Sequence, residues 1–124
     1  LESLRVELGE REPLCLLVGG DAFRGFLRWH RPREILDLAH LVVMRRPGAF
    51  GPLDAALERC CAEHGCTDPA GLRDRPAGAI LFQNVTQLDI ASTQVRELIR
   101  QGRSPRYLVP DPVLGIIDRA GLYR

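Results

Sequence analysis

LCLLVGGD, residues 14–21, joins five consecutive apolar positions to two glycines and an acid. An apolar run without alternation suits a strand buried on both faces, the habit of parallel sheets. Gly19 and Gly20 stop the run, and Asp21 is placed to cap a short helix reaching about Leu27. Strand, glycine turn and helix in that order open a βαβ unit, so the remaining chain should alternate in the same way.

Pro32 suits the first turn of a second helix carrying Ile35, Leu38 and Ala39, and Leu41–Met44 reads as a second strand. Pro52–His64 follows as a helix with Leu53, Ala56, Leu57, Cys60, Cys61 and His64 on one face, ended by a left-handed Gly65. Residues 66–78 read as loop and Ala79–Phe82 as a third apolar strand. After a polar stretch, Ile90-Ala91-Ser92-Thr93 leads into a helix through Val95, Leu98 and Ile99 that Gly102 ends. Asp111-Pro112 opens a last helix bearing Val113, Ile116, Ile117 and Ala120 before Gly121. The expected fold class is α/β, a Rossmann-like doubly wound parallel sheet with ligands at the carboxyl ends of its strands. Those places hold Gly19-Gly20-Asp21, Arg45-Arg46-Pro47-Gly48 and the Ser92-Thr93 turn.

The 124 residues fit one domain, able to bury roughly two-thirds of its unfolded surface if it is a complete folding unit. Hydrophobic residues at 45% and charged residues at 27% place it among globular chains, and no apolar run approaches the ~18 residues of a membrane span. A net charge of +1 gives no reason to expect nucleic acid as a partner, so any phosphate site must be local. Cys15, Cys60, Cys61 and Cys66, with no signal-peptide pattern ahead of them, read as cytosolic thiols and a cytoplasmic protein. Zinc on Cys60, Cys61, His64 and Cys66 is disfavoured, because two of the cysteines are adjacent and no CxxC pair exists. Cysteine on a packing helix face acts as a small hydrophobe, and no metal site is expected.

Three local patterns bear on chemistry. Gly19 and Gly20 permit close backbone approach to a ligand and Asp21 is able to accept from ribose hydroxyls, though the same residues also make a tight turn with a helix cap. Ser92, Thr93 and Arg96 outline an anion site at a helix N-terminus, or an ordinary cap with a solvated arginine. Trp29, the sole tryptophan, lies in the basic loop Arg28-Trp29-His30-Arg31, where it either stacks on a heteroaromatic base or packs as a core residue. His30 beside it binds phosphate when protonated or only caps the loop.

Four segments, in order, carry a family resemblance. LLVGGDAFRGFLRWHRPREIL (16–36) has a strand, G-x-D and tryptophan, and HLVVMRRPG (40–48) a strand and R-P-G turn. IASTQVRELIRQG (90–102) is similar to the signature I-S-S-T-x-[IV]-R, and YLVPDPVLGIIDRAGLYR (107–124) has an L-V-P and L-Y ending. Together these resemble the C-terminal portion of bacterial nicotinate-nucleotide adenylyltransferases. The match runs essentially end to end and is least distinctive between Gly51 and Gly78. The S-T-x-[IV]-R piece alone is shared by nucleotidyltransferases in general. Ala91 departs from the pattern, standing where the family often has a first serine.

The resemblance implies adenylyl transfer from ATP to nicotinate mononucleotide in NAD biosynthesis, with Mg2+, giving nicotinate adenine dinucleotide and pyrophosphate. Ser92, Thr93 and Arg96 would contact the ATP phosphates, Arg96 as the catalytic cation, while Gly19 and Asp21 would line the nucleotide pocket. Trp29 would stack on the nicotinate ring, with the main chain near His30 close to its carboxylate. The family's G-x-F-x-P-x-H-x-G-H motif has no counterpart among residues 1–124. The family layout therefore implies roughly 80 to 90 residues ahead of Leu1, which falls inside a helix-like Leu1, Leu4, Leu8 pattern, and makes this chain the C-terminal part of one domain. The chain alone is expected to be inactive and, with a central strand left as an edge, poorly stable. The alternatives are a related transferase, acting on pantetheine phosphate or nicotinamide mononucleotide, and a non-catalytic fragment completed by another chain.

Overall fold

Among the described residues, eight of the ten α-helices and strands fall in the stretch up to Thr86: α1 (Glu2–Leu8), β1 (Cys15–Gly19), α2 (Gly20–Arg24), α3 (Pro32–Leu38), β2 (His40–Arg45), α4 (Ala55–His64), β3 (Gly65–Cys66) and β4 (Ile80–Asn84). The computed structural model describes residues 1–46, 51–86 and 90–124; Pro47 and Gly48 of the R-P-G turn, and part of the polar stretch before Ile90, lie outside them. Contacts divide the chain into two compact units, Leu1–Thr86 and Gln87–Arg124.

In the first unit four strands run in the order β1-β2-β4-β3, every neighbouring pair parallel. The architecture is the expected Rossmann-like parallel sheet with flanking helices. Strand register aligns Leu16, Leu41 and Ile80, and then Val18, Val43 and Phe82, on one face. That face packs against Phe23, Phe26, Leu36 and Leu57 from α2, the 3-10 turn Phe26–Arg28, α3 and α4. Phe23, fully buried and contributing roughly 1.5–3 kcal/mol, stands edge-on to the half-buried Phe82 at 5.5 Å.

The opposite face carries Leu17, Val42 and Leu81. Leu72, from the 3-10 segment Pro69–Arg73, covers this face at Val42 and Leu81. β1 differs from the sequence expectation here: it is not buried on both faces, since Cys15 is exposed and Leu17 is 61% exposed. The reason is position, because β1 is an edge strand whose only partner among the described residues is β2.

Two other local expectations are corrected. Asp21 does not cap α2, because the helix starts one residue earlier, at Gly20, with Gly19 as its N-cap. Gly65 is not left-handed; at φ −58 and ψ 137 it is extended and begins β3, where it pairs with Ile80. A Cβ there would stand 2.7 Å from the Cys61 carbonyl oxygen, so close approach rather than handedness requires the glycine. α4 begins at Ala55 rather than Pro52 because the Asp54 side chain caps it, accepting from Leu57 N–H at 2.8 Å.

Polar staples fix the segment leading into β4. His40, fully buried at the start of β2, accepts from Ala79 N–H at Nδ1 (3.0 Å), which leaves Nε2–H to donate to Arg75 O at 2.8 Å. His64 donates from Nδ1 to Gly78 O at 2.8 Å. Arg5 of α1 donates to Gly9 O at 3.1 Å, Glu12 O at 2.6 Å and Pro76 O at 3.1 Å, and also to Leu38 O. α1 is thus anchored by its arginine while Leu4 and Leu8 remain about half exposed.

The second unit holds α5 (Ser92–Arg100) and α6 (Asp111–Ala120), with Val95, Pro105 and Ile117 buried. Gly121 ends α6 in the left-handed conformation that its place in the sequence predicts.

Candidate functional site

The carboxyl end of β1 presents Gly19 and then Asp21, in the first turn of α2. Gly19 has an ordinary φ of −73, and a Cβ built on it meets nothing within 4 Å. Among the described residues, neither backbone strain nor packing requires glycine at this point, and the volume beside it is open. Asp21 is exposed and its carboxylate caps nothing, which removes the bland reading of the acid and leaves it open to a hydroxyl donor.

β2 and β4 end beside it, Met44 lying between Gly19 and Gln83 in register. One step on, Arg45 pairs with Asn84, and the Arg45 guanidinium lies over the Phe82 ring, 5.1 Å from its centroid. The sequence located Arg45 and Arg46 here without giving them a role.

Trp29 follows the Phe26–Arg28 turn and is half-buried, edge-on to Phe26 at 5.5 Å and 74°. It satisfies part of both readings: one edge rests on the core and part of the ring faces solvent. His30 is exposed and borders a cavity of about 470 Å3 between α1 and α3. The structure therefore brings Gly19 and Asp21 onto one turn, and Trp29 and His30 onto one loop, within the first unit.

Ser92, Thr93 and Arg96 belong to the second unit. The N-cap of α5 is Ala91, which has no side-chain oxygen, so neither hydroxyl serves as the cap. Val95 N–H is the first to bond back, to Ala91 O at 3.1 Å, leaving the N–H groups of Ser92, Thr93 and Gln94 without intrahelical acceptors. Arg96 Nη2 reaches Thr93 Oγ1 at 3.4 Å, and Ser92 and Arg96 border a cavity of about 380 Å3. Free amides, two hydroxyls and a guanidinium on one helix turn suit an anion. Val109, Val113 and Tyr123 complete the cavity wall, and sequence reasoning assigned none of them. The L-Y ending was a signal for Tyr123, but its return to Ser92 depends on how the chain folds back.

The cysteines of α4 are structural. Cys60 and Cys61 pack against the core, and burial pushes the Cys60 thiol up and the Cys61 thiol up to about 11. No helix is long and apolar enough to cross a membrane among the described residues.

Comparison with known proteins bears on the family and the fold. The chain is 49% identical over 123 residues to a probable nicotinate-nucleotide adenylyltransferase of Methylococcus capsulatus, covering 99% of this chain and 58% of that protein. It is 45% identical to the protein of that name from Pseudomonas syringae pv. tomato, covering 100% of this chain and 55% of the relative. The chain spans a little over half the length of the curated relatives it matches. Plasmodium falciparum nicotinic acid mononucleotide adenylyltransferase, complexed with NaAD, shares the fold at a TM-score of 0.59 and 14% identity, over 98% of this chain and 54% of that one. The cytidylyltransferase-like profile matches residues 2–98, and the chain belongs to that family.

Proposed function

We propose that the whole protein transfers the adenylyl group of ATP to nicotinate mononucleotide, and that this chain supplies its mononucleotide-recognising and phosphate-anchoring part. The observation that carries this reading is the 43–49% identity with nicotinate-nucleotide adenylyltransferases, across essentially the full chain in all but one of the relatives compared. Gly19, whose conformation and packing leave its side-chain volume free, supports it independently.

In the proposed reaction a phosphate oxygen of the mononucleotide attacks the α-phosphorus of ATP. The new P–O bond forms as the bond to the α–β bridging oxygen breaks, and pyrophosphate leaves with that electron pair. The protein forms no covalent bond. The amides at the start of α5, Ser92, Thr93 and the Arg96 guanidinium hold the phosphates and offset the charge developing on the leaving group. Gly19 lets the nucleotide approach the backbone, and Asp21 accepts from ribose hydroxyls. Trp29 stacks on the pyridine ring, and the main chain at His30 meets its carboxylate.

Mg2+ enters this scheme as the counter-ion that ATP carries. Among the described residues no group of three or more His, Cys, Asp and Glu side chains is placed to hold a metal. The chain's histidines are His30, His40 and His64, so it contains no H-x-G-H. Turnover is assigned to the whole protein, in the cytoplasm, with the remaining part of the polypeptide as this chain's partner.

Calorimetric titration of the 124-residue chain tests its share. The acid mononucleotide should bind about tenfold or more tightly than the amide, since losing the carboxylate leaves its partners unpaired. Equal binding of the two would remove the assigned substrate and favour a related transferase.

A further inference from the structure

The Trp29-His30 segment is held by groups that the proposed reaction does not use. The next residue, Arg31, stands at φ 55 and ψ 54, a left-handed conformation uncommon outside glycine. Pro32 follows and disfavours the right-handed helical alternative at the residue before it. A backbone of this kind persists where its surroundings over-determine it. Those surroundings are two carboxylates from different helices. Arg31 Nη2 lies 3.0 Å from Glu2 Oε1 on α1, and the same nitrogen donates to Glu34 Oε2 on α3. Trp29 itself touches the core through its edge contact with Phe26. On the other side His30 and Arg31 border the open cavity between α1 and α3, so ionic contacts rather than tight packing hold that side of the loop.

We infer that Glu2, Arg31 and Glu34 form an ionic latch that fixes the Trp29-His30 loop, making them positioning residues for mononucleotide binding. The latch itself is structural, and its link to the mononucleotide rests on the functional reading above. Its effect is on the fraction of molecules whose loop is already arranged for binding, and a loss of that fraction weakens apparent affinity in proportion.

The test uses the 124-residue chain, in which Trp29 is the only tryptophan, with the double substitution Glu2→Gln and Glu34→Gln. Glu97→Gln, which breaks the exposed Arg100 pair of α5, is the charge control. Acrylamide quenching of Trp29 reports loop order without ligand. The double variant should show quenching raised about 1.5-fold or more, because a released loop moves on the nanosecond to microsecond scale. Its melting temperature should stay within about 2 °C, since exposed ion pairs contribute little to global stability. Nicotinate mononucleotide should bind about three- to tenfold more weakly, with ATP binding changed less than about twofold. Unchanged quenching overturns the latch, as does quenching that rises only with a fall in melting temperature of more than about 5 °C, which signals general loosening. If the unsubstituted chain binds no mononucleotide, the functional reading fails instead, while the ligand-free quenching comparison still decides the latch.

Discussion

Replacing His40 by leucine should cost the first unit about 2 kcal/mol, and the hydrogen bonds around the ring set that figure. Leucine keeps comparable bulk in a fully buried position but strands two groups, Ala79 N–H and Arg75 O. Ala79 is itself 0% exposed, so its N–H has no route to water, and an unsatisfied buried donor costs about 1–3 kcal/mol. Arg75 is an exposed residue whose carbonyl recovers solvent, so that loss adds little. A net cost near 2 kcal/mol should lower the melting temperature by roughly 10 °C in a unit of this size. Urea unfolding followed by Trp29 fluorescence should show a lower midpoint at an unchanged slope. His40→Gln retains one donor and one acceptor and should lose less than half as much. If His40→Leu lies within about 0.5 kcal/mol of the parent, the histidine does not hold this segment and the reasoning fails. An equal loss for both variants would assign the effect to ring packing instead.

Gly19→Ala should separate fold from function: stability changes by no more than about 1 kcal/mol in urea, since the added methyl meets nothing, while nucleotide binding weakens in calorimetry. Ala91→Ser supplies the missing cap oxygen of α5 and should raise stability by about 1 kcal/mol in a thermal melt, an outcome that no change would contradict. The raised Cys61 thiol should resist iodoacetamide at pH 8 while exposed Cys15 reacts, as read by peptide mass spectrometry. Because the folded thiol keeps its proton longer than the ordinary 9.0 value allows, its contribution to stability is full below about pH 9 and declines as pH rises towards about 11. Urea midpoints that rise over this window in the parent, relative to Cys61→Ala, would contradict that sign.

The sheet was legible because parallel strands announce themselves as apolar runs: LCLLV, LVVM and the run from Ala79 each became a strand, displaced by about one residue. Displacement arises because pairing, rather than hydrophobicity, sets where a strand ends. Gly19 therefore closes β1 by its register with Met44. The two-residue β3 was illegible, since Gly65-Cys66 has no pattern of its own and exists only by pairing with Ile80 and Leu81. Arg5 likewise carries no local signal of its role, since it joins nearby Gly9 and Glu12 to Leu38 and Pro76, which are distant in sequence. At the candidate site, chain order gave the local groups, Gly19 with Asp21 and Ser92 with Arg96. It could not give Tyr123 and Val109 beside Ser92, because that wall forms only when the C-terminal helix folds back.

Pyrophosphate release from ATP in the presence of nicotinate mononucleotide, with the nicotinamide form as control, tests the central claim most directly. The 124-residue chain should show no turnover alone, and adding a polypeptide that bears the H-x-G-H part should give release at least about tenfold faster with the acid than with the amide. Turnover by the chain alone, or equal rates on acid and amide after complementation, would contradict the account.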